Sequence, residues 1–186
     1  QEITFSEVQS TFRFASIHTA KDYVSYINKA NLIRLVPRFS FKSIERQTAR
    51  KVYAVDNAFI TTHNDVIATE NLGWRLENAV AIELYRRMEY ASQQLFYLRE
   101  NRNYEVDFAV ADQNRITELI QVPYNFTKPT TKLYNREING LIKGARATRC
   151  NKLTLIMMDG KPATITVGDY SIRCILAVDW FLNKQS

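Results

Sequence analysis

Glycine is scarce in this chain, five among 186 residues, which argues against long flexible linkers. Cysteine is scarcer still. Cys150 and Cys174 lie far apart and supply neither a disulfide framework nor the clustered ligands of a zinc site. They read as buried, reduced thiols of a cytoplasmic protein. The two histidines, His18 and His63, stand alone and suggest no functional pairing. No apolar run reaches the roughly eighteen residues that a membrane-spanning helix needs, and no secretory signal pattern is present. Repeats and low-complexity tracts are absent too. So is the phosphate-cradling pattern G-x-x-x-x-G-K-[ST]: Gly160-Lys161 lacks both the upstream glycine and the following hydroxyl residue, so no ATP site is argued within these residues.

What is there suffices for a folded core. Hydrophobic residues make up 46% and aromatics 12%, and the length suits one ordinary domain, or one with a small appendage. The first residue is Gln rather than Met, so a fragment of a longer protein is expected. The net charge of +6 is unevenly placed. Residues 1–51 hold nine Lys/Arg against four Asp/Glu, and residues 128–152 hold seven against the single acid Glu137. Two basic patches of this kind suit an anionic partner, nucleic acid first. Arg34 and Arg38 represent the first patch.

Periodicity predicts a helix from Thr19, with Tyr23, Ile27 and Ala30 at helical spacing, then strands over 32–41 and 50–55. Pro37 marks the first of these as an edge strand or a bend. A helix followed by a two-stranded ribbon looks like the end of a winged helix. The earlier helices of such a domain are not visible in residues 1–18, so residues 1–55 read as a partial winged-helix segment. From residue 56 a second unit is expected: a helix over 74–90, strands over 94–99, 104–110 and 116–122, a helix over 131–149, strands over 153–158 and 171–177, and a short terminal helix. The order gives an α/β fold, a mixed central sheet flanked by helices.

Three side chains in that unit carry chemistry. On the helix, Val80, Ala81, Leu84 and Met88 fall within about 60° of Glu77, so this carboxylate lies on the apolar stripe, where it needs a partner or a cation. On the middle strand, alternation puts Tyr104, Val106, Phe108 and Val110 on one face and Glu105, Asp107 and Ala109 on the other. If the next strand pairs as a hairpin, Gln121 faces the same way as Asp107. Glu77, Asp107 and Gln121 together could surround Mg²⁺ or Mn²⁺, which take oxygen ligands and lower the pKa of an attacking water. A metal-dependent nuclease would carry Glu-x-Lys where this chain has Gln121 and Pro123. The glutamine weakens the metal site, and proline cannot orient a water or offset charge on a phosphate. Helix 131–149 offers other cations: Lys132, Arg136, Lys143 and Arg146 fall in a stripe of about 80°, with Lys128 just before it.

Six stretches together carry a resemblance: DYVSYINKANLIRLVPR (22–38), KVYAVDNA (51–58), LENAVAIELYRR (76–87), LFYLRENRNYEVDF (95–108), LIQVPY (119–124) and REINGL (136–141). They resemble the C-terminal part of a prokaryotic family of AAA-type P-loop ATPases, in which the ATPase domain precedes a winged helix and a restriction-endonuclease-like PD-(D/E)XK domain. The resemblance implies that residues 56–186 form the endonuclease-like domain. It also places the family's metal-site positions on Glu77 and Asp107. ATP would bind only in a domain before Gln1, a partner in cis. The expected function is a nucleic-acid-binding, nuclease-like module without full catalytic machinery. The alternatives are an active Mg²⁺- or Mn²⁺-dependent nuclease, or a non-catalytic protein-interaction domain that regulates the ATPase.

Overall fold

In the computed structural model, residues 2–40, 49–61, 72–88, 92–100, 103–126 and 131–183 are described, with backbone alone at 60–61 and 131–135. Strand β1 (Glu2–Thr4) runs into helix α1 (Phe5–Phe12). Thr4 closes a capping box. Its hydroxyl accepts from the Glu7 N–H at 3.2 Å, and the Glu7 carboxylate accepts from the Thr4 N–H at 2.8 Å, which satisfies two otherwise orphaned donors. The absence of helix expected before residue 18 is therefore corrected. Thr4-x-x-Glu7 was the sequence signal for α1. Helix α2 (Ile17–Lys29) is capped by Ser16, whose hydroxyl accepts from the Thr19 N–H. Strands β2 (Ile33–Pro37) and β3 (Ala49–Ala54) follow. The small sheet has the order β1-β3-β2, antiparallel throughout. A short helix α3 (Ala58–Thr61) comes next.

The large sheet is mixed. Strands β4 (Gln93–Glu100), β5 (Tyr104–Asp112) and β6 (Arg115–Gln121) form an antiparallel meander. Helix α5 (Thr131–Thr148) then crosses over to strand β7 (Leu153–Met157), parallel to β6. Strand β9 (Tyr170–Leu176) is parallel to β7, and β8 (Ala163–Val167) closes the edge as its antiparallel partner. The full order is β4-β5-β6-β7-β9-β8. The strand β8 was not anticipated. It is mostly exposed and so lacks the apolar pattern that marks a strand in sequence.

Helices cover both faces. On one, Ile138, Leu141, Ile142 and Ala145 of α5 bury against Leu98, Val106, Leu119, Leu155 and Ile172. On the other, Leu76, Val80, Leu84 and Met88 of α4 (Leu72–Met88), with Trp180 of α6 (Ala177–Phe181), bury against Leu95, Phe108, Ile120 and Ile156. Val36 and Tyr53 of the small sheet belong to this second core. Each large apolar side chain buried in this way contributes about 1.5–3 kcal/mol. Among the described residues, no helix is long and apolar enough to cross a membrane.

A β-bulge interrupts the expected alternation of β5. The register steps from Phe96↔Ala109 to Leu98↔Val106, so Asp107 and Phe108 together oppose Tyr97. Val106 consequently packs on the α5 side with Ala109, while Phe108 and Val110 pack on the α4 side. The single-face grouping of Val106 with Phe108 is corrected by that extra residue, which re-aims the side chains around Asp107.

Candidate functional site

Strand β3 determines the site. Lys51 and Tyr53, two residues apart, project from the same face of the small sheet. Both are buried, Lys51 at 4% exposure and Tyr53 at none. The Lys51 Nζ lies 3.1 Å from Glu77 Oε1, 3.0 Å from Asp107 Oδ1 and 2.9 Å from Glu105 Oε1. An ammonium has three donors, and three carboxylates receive them. Burial pulls the Lys51 pKa down, but Asp107, Glu77 and Glu105 outweigh it and hold the pKa above that of a free lysine.

Glu77 also accepts a hydrogen bond from the Tyr53 hydroxyl at 2.6 Å. Burial, then the charge of Asp107, raises the Glu77 carboxyl against the pull of Lys51 and Tyr53. Three acids share one cation, and the charge of Asp107 adds to the larger effect of burial in raising the proton affinity of Glu77. Burial, and next the Glu77 charge, pushes the Tyr53 phenol well above its ordinary range, so it stays a donor. The neighbouring Asn78, 1% exposed, completes the attachment of β3 to α4. Its Oδ1 accepts from the Ala54 N–H and its Nδ2 donates to the Ala54 carbonyl, both at 2.9 Å. The Glu77-Asn78 pair thus fastens the small sheet to helix α4.

Asp107 is held from the other side as well. Its Oδ2 accepts from the Val122 N–H at 3.0 Å. The Asp107 N–H in turn donates to Gln121 Oε1 at 3.2 Å, and Gln121 Nε2 donates to Glu137 Oε2 at 2.6 Å. Glu137 is 2% exposed and is paired with Arg136. Burial raises its carboxyl above the ordinary range, against the hydrogen bond from Arg136. Helix α5 comes this close because Gly140 and Gly144 have no side chains. A Cβ at Gly140 would sit 2.7 Å from the Glu105 carbonyl oxygen, and one at Gly144 would sit 2.9 Å from Val106 Cγ2.

These groups line a polar cleft of about 560 Å³ between α4, the ends of β5 and β6, and α5. Glu77, Glu105, Asp107 and Glu137 contribute carboxylates to it, and Arg136 and Lys143 contribute cations. Pro123 lines the wall with no polar side chain.

Of the three expected ligand residues, the fold brings together Glu77 and Asp107, joined by Glu105. Gln121 does not complete an oxygen triad with them, because its carboxamide is engaged by the Asp107 backbone and Glu137. Among the described residues, no group of three or more His, Cys, Asp and Glu is arranged to hold a metal ion. The donor set does not fit Mg²⁺ or Mn²⁺ as it stands, since an ammonium lies between the acids.

The expected phosphate-binding residues divide into two groups. Arg136 and Lys143 border the cleft, and Lys143 donates to Asn103 Oδ1 at 2.5 Å. Arg146 is exposed further along α5. Lys128 and the Lys132 side chain lie outside the described residues. Arg34 lines a different groove of about 550 Å³ with Tyr85 and Arg86, and it donates to Asn31. Arg38 bridges to β4 at Tyr97, and its buried Nε has no hydrogen-bond partner among the described residues. Sequence reasoning missed Lys51, Tyr53, Asn78 and Glu105. The available signal was a lysine alternating with an aromatic in Lys51-Val52-Tyr53, a charge placed where a strand turns inward.

No protein-family model matches this chain. An uncharacterized protein of Methanocaldococcus jannaschii is 31% identical to it over 148 residues, which cover 80% of this chain and 32% of that protein. The chain thus spans about a third of the length of this relative. No solved structure matches.

Proposed function

We propose that this chain is a restriction-endonuclease-like module of a longer ATPase, and that it binds nucleic acid without cutting it. The observation that carries the reading is the meeting of Glu77 and Asp107 around one ammonium at the lip of the large sheet. Two acids delivered by α4 and β5 to one end of a cleft are the remnant expected of a metal-dependent phosphodiesterase. The succession α4-β4-β5-β6-α5-β7 supports the same ancestry. The β1-α1-α2-β2-β3 unit, with its β1-β3-β2 sheet, supports a winged-helix origin for residues 1–55. Cleavage is disfavoured here because Pro123 stands where lysine would be needed and Lys51 is engaged by three carboxylates.

Binding is assigned to the exposed side of α5, where Arg136, Lys143 and Arg146 follow the cleft. Phosphate neutralisation makes affinity fall linearly in log–log form with salt, by about 0.9 per contacted phosphate on duplex DNA. Anisotropy titrations of a labelled duplex across a salt series are expected to show that slope. Lys143→Ser and Arg146→Ser are each expected to lower it by about 1, and the duplex should remain intact with Mg²⁺ or Mn²⁺ present. Absence of binding at low salt, or binding indifferent to salt, sinks the reading. Cutting that EDTA stops and Asp107→Ala abolishes would replace it with an active nuclease.

A protein-interaction role has one specific observation in its favour. An apolar groove of about 410 Å³ runs between α1, α2 and the outer face of the small sheet, lined by Phe12, Phe14, Tyr23, Ile27 and Trp74. Phe12 and Tyr23 are 67% and 51% exposed, a patch of the kind that marks a docking surface.

A further inference from the structure

We infer that the ammonium of Lys51 is the resident cation of this site, holding the place of a divalent metal among Glu77, Glu105 and Asp107. Three independent constraints keep it there. The first is coordination. Glu77 Oε1 already accepts from both Lys51 and Tyr53, Asp107 Oδ1 accepts from Lys51, and Asp107 Oδ2 accepts from the Val122 N–H. A metal seated among these carboxylates would have to displace the Lys51 ammonium from Glu77 and Asp107, and Mg²⁺ gives up its waters reluctantly.

The second constraint is backbone position. Lys51 sits in the central strand of the small sheet, opposite Glu2 on one side and Val36 on the other. Asn78 fixes Ala54, three residues further along, to helix α4. The backbone of Lys51 is therefore fixed relative to the helix that carries Glu77. The third is burial. Lys51 is 4% exposed, and withdrawing a buried charge from its partners leaves the remaining charges uncompensated.

The cation does a second job here that a metal could not do. It is covalently part of the small sheet, so it joins that sheet to α4 and β5 while offsetting part of the charge of their acids. The inference concerns the acid cluster alone and does not depend on nucleic acid being bound.

The test uses Mn²⁺ as the probe, following the spectrum of the free hydrated ion by electron paramagnetic resonance as protein is added. The wild-type chain is expected to leave the signal unchanged. Lys51→Ala, which vacates the space between the carboxylates, is expected to remove signal to the extent of one ion per chain. Adding Asp107→Asn to that variant should restore the signal. Circular dichroism checks that the variants fold, and Lys51→Met, which keeps most of the apolar stem, serves in place of Lys51→Ala if the latter does not. A wild-type chain that takes up Mn²⁺ and loses it with Asp107→Asn would overturn the inference. So would a folded Lys51 variant that leaves Mn²⁺ as free as the wild type does.

Discussion

Lys51 shows how much one side chain can organise. Its three partners come from α4 and from β5, 26 and 56 positions away for Glu77 and Asp107. Lys51→Met removes the only cation bonded to Glu77 and Asp107 among the described residues and leaves their charges buried. Breaking a buried ion pair from one side costs about 3–5 kcal/mol, and urea denaturation should show a loss of that order. Glu77→Gln, added to Lys51→Met, removes one of the surplus charges and is expected to recover part of it. A double variant no more stable than Lys51→Met alone would mean that charge does not set the cost. Glu77 and Asp107 were legible in the sequence because each sits among apolar residues, where an acid needs a reason. Lys51 was not, because its reason is three carboxylates that no local pattern connects to it.

At the scale of elements, helix α5 meets the sheet through glycine. Gly140→Ala puts a methyl carbon 2.7 Å from a backbone oxygen of β5, which no side-chain rotation relieves. The helix must shift outward, at a cost typical of overpacking, about 1–3 kcal/mol. Thermal denaturation should show a lower midpoint for Gly140→Ala, and an unchanged midpoint would refute the close approach. The same elements mark what periodicity reveals and what it hides. Helix α4, the β4-β5-β6 meander, α5 and β7 were all readable, because long amphipathic or apolar segments carry their period in the residues themselves. The bulge at Asp107 was not. An inserted residue changes the pairing with β4, and pairing lies outside any single strand's pattern. Helix α1 was overlooked because its eight residues bury none of their own, leaving only the Thr4–Glu7 cap to announce it.

At the scale of the molecule, the small sheet and the large one share one buried core. Val36 and Tyr53 share a core with Leu76, Val80 and Phe108, and Asn78 binds the backbone of β3. Unfolding by urea should therefore follow one transition, with coincident curves from far-ultraviolet circular dichroism and tryptophan fluorescence. Separate transitions would mean that residues 1–55 fold independently of the rest.

The attachment of that ammonium to β3 has a mechanical corollary. The strand lies outside the main sheet, yet it carries the charge that balances the cleft. Any force that draws the small sheet away by a few ångströms would take the positive charge along and leave Glu77, Glu105 and Asp107 without the cation they share. Strain at one end of this chain would thereby be converted into electrostatic potential at the other.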